Sequence, residues 1–320
     1  MEYRTLGRTD LSVSLLSMGT GGYGILGQRD GRPESEAHKL LFRAFELGIN
    51  LFDTAPAYGD SDLILGRAIK ELPRHDLIVS TKVHLVNGKS GILKTPDEVA
   101  ESVETSLHRL QLSHIDILFI GSPLVHHYDA IVSDLLPVLY KLQKQGKVKF
   151  IGSNEKSSTD GAHEWLKLTL PLNLFDVIMV AYNMINQSAR HGVFPMCEQY
   201  NVGVINMLAV RNLFWNPTRL REVIKNLKQR GLVPETGESD KRPLAWLLEE
   251  GDVTSLVEAA YRFTAYTKGV SSVLTGTIES SHLEQNVLSV AKGPLSTDQT
   301  QRLEKLFCLV SEAVGDFTDD

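Results

Sequence analysis

Three residues in the first third of the chain, Asp53, Tyr58 and Lys82, have types and spacing suited to moving a proton. Asp53 ends the apolar run Asn50-Leu51-Phe52-Asp53, Lys82 ends Val79-Ser80-Thr81-Lys82, and Tyr58 follows Asp53 by five residues. A phenol is neutral near pH 7, with a reference pKa of about 10. A neighbouring ammonium favours its phenolate, and a carboxylate holds that ammonium in place and charged. Such a tyrosine gives a proton to a developing alkoxide or takes one from an alcohol, which suits carbonyl reduction and its reverse. An acid or a lysine alone at a strand end reads as readily as a structural ion pair. Three groups converging on one point read as a proton-transfer centre.

The elements that must bring them together are legible in the apolar pattern. Eight short runs read as strands: Leu15–Met18, Asn50–Asp53, Leu77–Lys82, Ile115–Ile120, Phe150–Ser153, Val177–Val180, Gly203–Met207 and Ser272–Thr275. Each is mostly hydrophobic rather than alternating, as strands buried on both faces are. Amphipathic stretches lie between them. Glu34–Leu47 carries a stripe of Ala37, Leu40, Leu41, Ala44 and Phe45 and is closed by Gly48. Thr95-Pro96-Asp97-Glu98 opens another helix with a capping residue, a first-turn proline and acids at its positive end; Leu135–Gln145 is a third, ended by Gly146. Eight strand–helix alternations predict a (β/α)8 barrel of the α/β class, with its active site where the strands end at their C-terminal face. Asp53 and Lys82 end adjacent strands there.

Three segments lie outside a bare barrel. Tyr3–Ser14 reads as a hairpin turning at Gly7–Asp10 and plugging the barrel bottom. Ala209–Asp252 is a long insertion with its own helix near Leu220–Arg230, and Ser296–Val314 is an extra helix capped by Ser296 or Thr297. With no linker or short-period repeat, residues 1–320 read as one domain. A formal net charge of -6 argues against nucleic acid as the main partner. Cys197 and Cys308 are far apart and in no metal-ligand spacing, so no metal is expected and a reducing compartment fits. Neither a signal-peptide pattern nor an apolar run of about 18 residues is visible, so the expectation is a cytoplasmic protein away from membranes, acting on a small molecule. The pattern does not speak to the oligomeric state.

Several spaced motifs carry a resemblance. They are Leu6-Gly7-Arg8-Thr9-Asp10-Leu11-Ser12-Val13-Ser14, Phe52-Asp53-Thr54-Ala55-Pro56-Ala57-Tyr58-Gly59, Leu65-Gly66-Arg67-Ala68, Ser80-Thr81-Lys82, Ser106-Leu107-His108-Arg109-Leu110 with Ile115-Asp116, and Gly146-Lys147-Val148 with Ile151-Gly152-Ser153-Asn154. From about Tyr3 to Val287 the chain resembles the aldo-keto reductase superfamily. It is most similar to the bacterial and sugar-acting branch whose last motif is here Thr275-Gly276-Thr277 followed by His282-Leu283-Glu284-Gln285-Asn286. The resemblance implies an NAD(P)(H)-dependent oxidoreductase interconverting a carbonyl and an alcohol, with an aldehyde, ketone or sugar-like substrate. It implies Tyr58 as general acid/base, Lys82 as the neighbour that lowers its pKa and Asp53 as the partner of Lys82. Gly19 and Thr20 would face the nicotinamide ribose, Ser153 and Asn154 the carboxamide, and Gly276, Thr277, His282, Gln285 and Asn286 the pyrophosphate and adenosine. The last group also makes sense unaided: a strand runs through a glycine turn into a helix whose backbone N–H groups favour an anion.

The chain departs from the family pattern at several places. Gly121 stands where the family commonly has a histidine that orients the substrate carbonyl. A hydrogen bond aimed at a developing oxyanion is worth about 3 kcal/mol, so its loss is costly unless another group substitutes. His84, His126 and His127 are candidates, or ordinary loop histidines; Gly121 otherwise makes room for a bulkier substrate or marks altered chemistry. Met179 occupies the place of a carboxamide-binding glutamine and Ala209 lies near that of a stacking tyrosine. Ile278 replaces the basic residue that pairs with the 2′-phosphate, so NADPH is the expected cofactor with NADH possible, and Arg211 is a candidate substitute. Tyr23, Phe214 and Trp215 are candidate pocket walls. Two other functions compete: a non-catalytic nicotinamide-binding sensor or regulatory relative, motivated by Gly121 and Met179, and a Schiff-base aldolase using Lys82. Asp53 counts against the latter because it keeps the amine protonated.

Overall fold

All eight apolar runs form strands, and the strands close on themselves. The computed structural model describes residues 1–87, 92–234, 242–249 and 252–312. A short antiparallel hairpin, β1 (Tyr3–Thr5) and β2 (Ser12–Ser14), precedes the barrel strands β3 (Leu16–Gly19), β4 (Leu51–Asp53), β5 (Ile78–His84), β6 (Ile115–Gly121), β7 (Val148–Asn154), β8 (Val177–Ala181), β9 (Gly203–Met207) and β10 (Ser272–Thr275). The order around the barrel is β10-β3-β4-β5-β6-β7-β8-β9, all parallel, with β9 pairing β10 to complete the ring. The expected (β/α)8 architecture is therefore present, with boundaries within two residues of those read from the sequence.

Register decides which side chains point inward. Lys82 lies opposite Phe119 and His84 opposite Gly121, while Gly121 is opposite Asn154 and Asn154 opposite Met179. Phe119 and Met179 belong to the apolar cluster inside the barrel, with Leu51, Ile78, Ile117, Val177 and Ile205. Parallel neighbours in register share a face. Lys82, His84, Gly121 and Asn154 therefore face the interior at its C-terminal mouth.

The hairpin plugs the other end. Leu6 and Val13 join the interior cluster from below. At the turn Gly7 has a φ of +52°, and a side chain there would collide with the backbone at Gly203. Only glycine serves both demands. The Arg8 N–H donates to the Asn201 carbonyl at 2.8 Å, fastening the turn beside β9.

The outer helices form where capping and periodicity agree. Pro96–Leu110 starts with a reciprocal capping box between Thr95 and Glu98 and buries Val99, Val103, Leu107 and Leu110. The insertion holds helices Pro217–Gln229 and Trp246–Glu249, with its residues 235–241 and 250–251 outside the described residues, and helix Leu256–Ala265 follows it before β10. Ser296 caps the last helix, Thr297–Phe307, which stops short of the end expected at Val314, residues 308–312 being non-helical. Among the described residues no helix is long and apolar enough to cross a membrane.

Candidate active site

At the mouth, β4 delivers Asp53 and β5 delivers Lys82. The Lys82 Nζ donates to both carboxylate oxygens of Asp53, at 2.8 and 2.6 Å, and to the Thr54 carbonyl at 3.0 Å. Ser80, two residues before Lys82 and on the same face, donates its hydroxyl to Asp53 at 2.7 Å. Asp53 and Lys82 are each only 3% exposed, so neither charge relies on bulk water. Burial works against the Lys82 charge, but Asp53 and Tyr58 outweigh it and hold the ammonium above its ordinary range. The Lys82 Nζ lies 5.4 Å from the centre of the Tyr58 ring. The structure thus brings together the three residues singled out first.

Two features that sequence reading passed over fix Tyr58. Gly21, in the loop after β3, lies flat on the phenol, and a side chain at Gly21 would enter the ring. The Gln28 side-chain N–H donates to the Tyr58 carbonyl at 3.3 Å and to the Ser61 hydroxyl at 3.0 Å, and its carbonyl accepts from the Asp60 N–H at 2.8 Å. The run Gly19-Thr20-Gly21-Gly22 was a visible signal for close backbone approach. Behind the ion pair Thr54 donates its hydroxyl to buried Asp62 at 2.7 Å. Burial, the leading influence, raises the Asp62 carboxyl above its usual range.

His84 and Gly121 meet across the β5–β6 pairing. A Cβ at Gly121 would lie 2.7 Å from His84 Nδ1 and 2.8 Å from its Cε1. Burial, then the charges of Lys82 and Lys94, lower the affinity of this imidazole for a proton, against a hydrogen bond to the Gly121 backbone. His126 and His127 sit farther out on the loop after β6 and pack on each other, with ring centres 3.9 Å apart.

The remaining candidates divide. Asn154 is buried at the inner face with its Oδ1 unpartnered among the described residues, and Thr20, after β3, has an unpartnered buried hydroxyl. Such orphans fit a bound polar ligand. Ser153 does not join them: its hydroxyl accepts from the Trp165 indole at 2.9 Å on the outer face of β7. That one-residue step along the strand reverses its direction. Met179 fills the barrel interior beside Asn154 with no polar handle, and Ala209, near the expected stacking position, and Phe214, an expected pocket wall, are both buried in the core. Tyr23 is 64% exposed, with Arg29 over its ring, and Trp215 is 59% exposed.

Beyond β10, Gly276, His282 and Gln285 are exposed, the last two one turn apart on helix Ser280–Ala291. Thr277 turns its hydroxyl to the Glu279 N–H at 3.1 Å, and Asn286 donates its amide to Thr275 at 2.9 Å and to Tyr261. Gly24 leaves space for Ile278, whose carbonyl accepts from Arg32 at 3.5 Å. Arg32 also pairs with Glu279 and Glu36. Arg211, the other candidate cation, bonds Ser157 at 3.3 Å, in the loop after β7.

The aldo/keto reductase family model matches residues 16–307. L-galactose dehydrogenase of Arabidopsis thaliana is 31% identical over 306 residues, covering 91% of this chain and 89% of that protein. An NADH-specific methylglyoxal reductase of Escherichia coli strain K12 is 28% identical over 219 residues, 64% of this chain and 66% of its own. An aldo-keto reductase of Bacillus halodurans, solved in its holo form, superposes with a TM-score of 0.73 at 25% identity, covering 98% of both chains. A buried Asp–Lys pair beneath a tyrosine, at the C-terminal mouth of a closed eight-stranded barrel, agrees with these matches, and the chain belongs to the aldo/keto reductase family of oxidoreductases.

Proposed function

We propose that the protein reduces a small carbonyl compound, or oxidises the corresponding alcohol, with Tyr58 as the general acid/base. The observation that carries this reading is the grip of Lys82 on both oxygens of Asp53 beneath the Tyr58 ring. A bound nicotinamide supplies or accepts the hydride at the reacting carbon. In the reducing direction the Tyr58 hydroxyl gives its proton to the carbonyl oxygen. The Lys82 ammonium steadies the negative charge left on the phenol oxygen, and Asp53 keeps Lys82 protonated. In the reverse direction the same oxygen takes the alcohol proton.

The residues around the mouth fit that cofactor. Asn154 and Thr20 carry the unpartnered polar atoms that a carboxamide and a ribose would satisfy. Exposed Gly276 and the start of helix Ser280–Ala291 offer backbone N–H groups to a pyrophosphate, with His282, Gln285 and part of Asn286 alongside. At the adenosine end Arg32 is already paired with Glu279 and Glu36 beside apolar Ile278. That arrangement supports acceptance of NADH as well as NADPH. The aromatic faces of Tyr23 and Trp215 suit an aldehyde, ketone or sugar-like substrate, and the two free cysteines suit the cytoplasm.

Titration of the purified protein with NADPH and with NADH, followed by fluorescence, tests the cofactor. Saturable binding of at least one is expected, and no binding of either overturns the reading. With Tyr58→Phe, turnover of methylglyoxal or L-galactose should fall on the order of 10²- to 10⁴-fold with cofactor binding intact.

A further inference from the structure

The imidazole of His84 occupies the space a side chain at Gly121 would need. A Cβ there would meet Nδ1 at 2.7 Å, Cε1 at 2.8 Å and Cγ at 3.3 Å. His84 lies two residues beyond Lys82 on the same inward face of β5, and it is half-buried rather than sealed in. The Gly121 carbonyl is the backbone group placed to favour a proton on the ring. Burial and the neighbouring ammonium groups of Lys82 and Lys94 disfavour the charged form of the imidazole. A neutral imidazole has a single N–H. Turned toward the Gly121 carbonyl, that proton leaves the second nitrogen only a lone pair to present. It can receive a hydrogen bond from a ligand hydroxyl, whereas a bare carbonyl oxygen has no proton to give it.

We propose that His84, seated on Gly121, accepts a hydrogen bond from a substrate hydroxyl beside the reacting carbon, so that the enzyme selects hydroxy-carbonyl compounds and polyols. This rests on the carbonyl–alcohol reading of the site. Gly121 is then the specificity partner of His84, since the ring sits where it does only because residue 121 has no Cβ. No group transfer is assigned to His84; Tyr58 still moves the proton.

The experiment compares glycolaldehyde with acetaldehyde and glyceraldehyde with propanal, using kcat/KM with NADH and with NADPH. The hydroxylated member should be favoured by roughly 10- to 100-fold, the scale of a single hydrogen bond to a half-buried acceptor. His84→Ala should bring the ratio near one, chiefly by slowing the hydroxylated substrates. Gly121→Ala, which displaces the ring, should do the same and have no further effect in a His84→Ala background. An equal loss on both members of a pair would mean that His84 serves the carbonyl oxygen instead, and an unchanged ratio would mean that it does not touch substrate; either overturns the proposal. Tyr58→Phe separates the two levels: if it leaves turnover intact, the underlying reading fails, whereas an inactive Tyr58→Phe with an unchanged His84→Ala ratio defeats this proposal alone. A binding arm does not rely on turnover. In ¹⁵N NMR of the cofactor-loaded protein, His84 should show one protonated and one bare nitrogen at pH 7. Glycerol should shift the bare one more strongly than 1-propanol does, and equal or absent shifts overturn the proposal.

Discussion

Asp53 and Asp116 are both buried carboxylates on barrel strands, and both are paired with cations, yet they sit at opposite ends of the barrel. Asp116 lies near the start of β6. It accepts from Arg74 at 2.6 Å, from Lys149 at 2.9 Å and from the Val79 N–H at 2.9 Å. Arg74 and Lys149 come from separate elements and reach in from solvent, with side chains 30% and 47% exposed. Asp53 has a lysine as buried as itself, and that lysine lies under a phenol. The comparison separates two uses of one interaction. At the N-terminal end a carboxylate pins strands and helix ends together; at the C-terminal end it maintains a charge next to a proton carrier. A parallel barrel commonly divides stability and chemistry between its two faces in this way.

Asp53→Asn and Asp116→Asn are the substitutions that most directly break or keep the contrast. Asp53→Asn leaves Lys82 buried without its counter-charge, which costs about 3–5 kcal/mol when one partner of a buried pair is removed. The proton-transfer contribution should also fall, lowering kcat on the order of 10²- to 10⁴-fold for the molecules that remain folded. Asp116→Asn should leave kcat within about two-fold, because no proton carrier lies beside it. Its cost should be about 2 kcal/mol, a melting-point loss of roughly 5 °C, since its half-exposed cations regain water. Parallel measurement of kcat and thermal unfolding checks the contrast; a large kcat loss in Asp116→Asn at unchanged stability would collapse it.

Much of this contrast is legible in residue order. Leu77–Lys82 and Asn50–Asp53 read as strands because burial on both faces leaves apolar runs, and their last residues mark the mouth. Boundaries moved by only one or two residues, since β5 extends to His84 and β6 to Gly121. What the runs do not show is direction. A strand buried on both faces lacks the alternation that would say which residues point inward, so Ser153 and Asn154 looked equivalent, although one faces Trp165 and the other the interior. Nor does sequence distance show that His84 and Gly121 share a register position, which makes the missing side chain and the neighbouring imidazole one arrangement. Gly121→His, which would restore the residue the family commonly has there, therefore sets two rings in one space and should lower activity unless His84→Gly accompanies it.

A smaller effect is expected at Gly21. Asp116 can relax toward solvent, but the Tyr58 ring is held against a backbone with no side chain. Gly21→Ala puts a methyl group into the ring face, and Tyr58 must swing away from Lys82. Because catalytic groups lose rate steeply with displacement of about 1 Å, kcat should fall about 10- to 100-fold while the melting point changes little. A kcat equal to wild type would show that the ring tolerates the shift and that Gly21 is not needed for its pose.

The smallest prediction concerns pH and sharpens the contrast from the side of His84. Its ring is held below the ordinary histidine range, first by burial and then by Lys82 and Lys94, so the unfolded chain binds its proton more readily than the folded one. Stability linked to this residue is therefore intact above the unfolded pKa of about 6.5 and is lost as pH falls through the lower folded value. His84→Gln removes that linkage and leaves every other titrating group in place. The melting temperature of His84→Gln relative to wild type should rise as pH falls from 7.5 to 5, whatever the offset between the two proteins at pH 7.5. A difference that stays constant across that range would mean that His84 takes up its proton as easily when folded as when unfolded. The lone pair assigned to it would then be lost to a proton in about a quarter of the molecules at pH 7 and in most of them at pH 5, each time placing a second positive charge above Lys82.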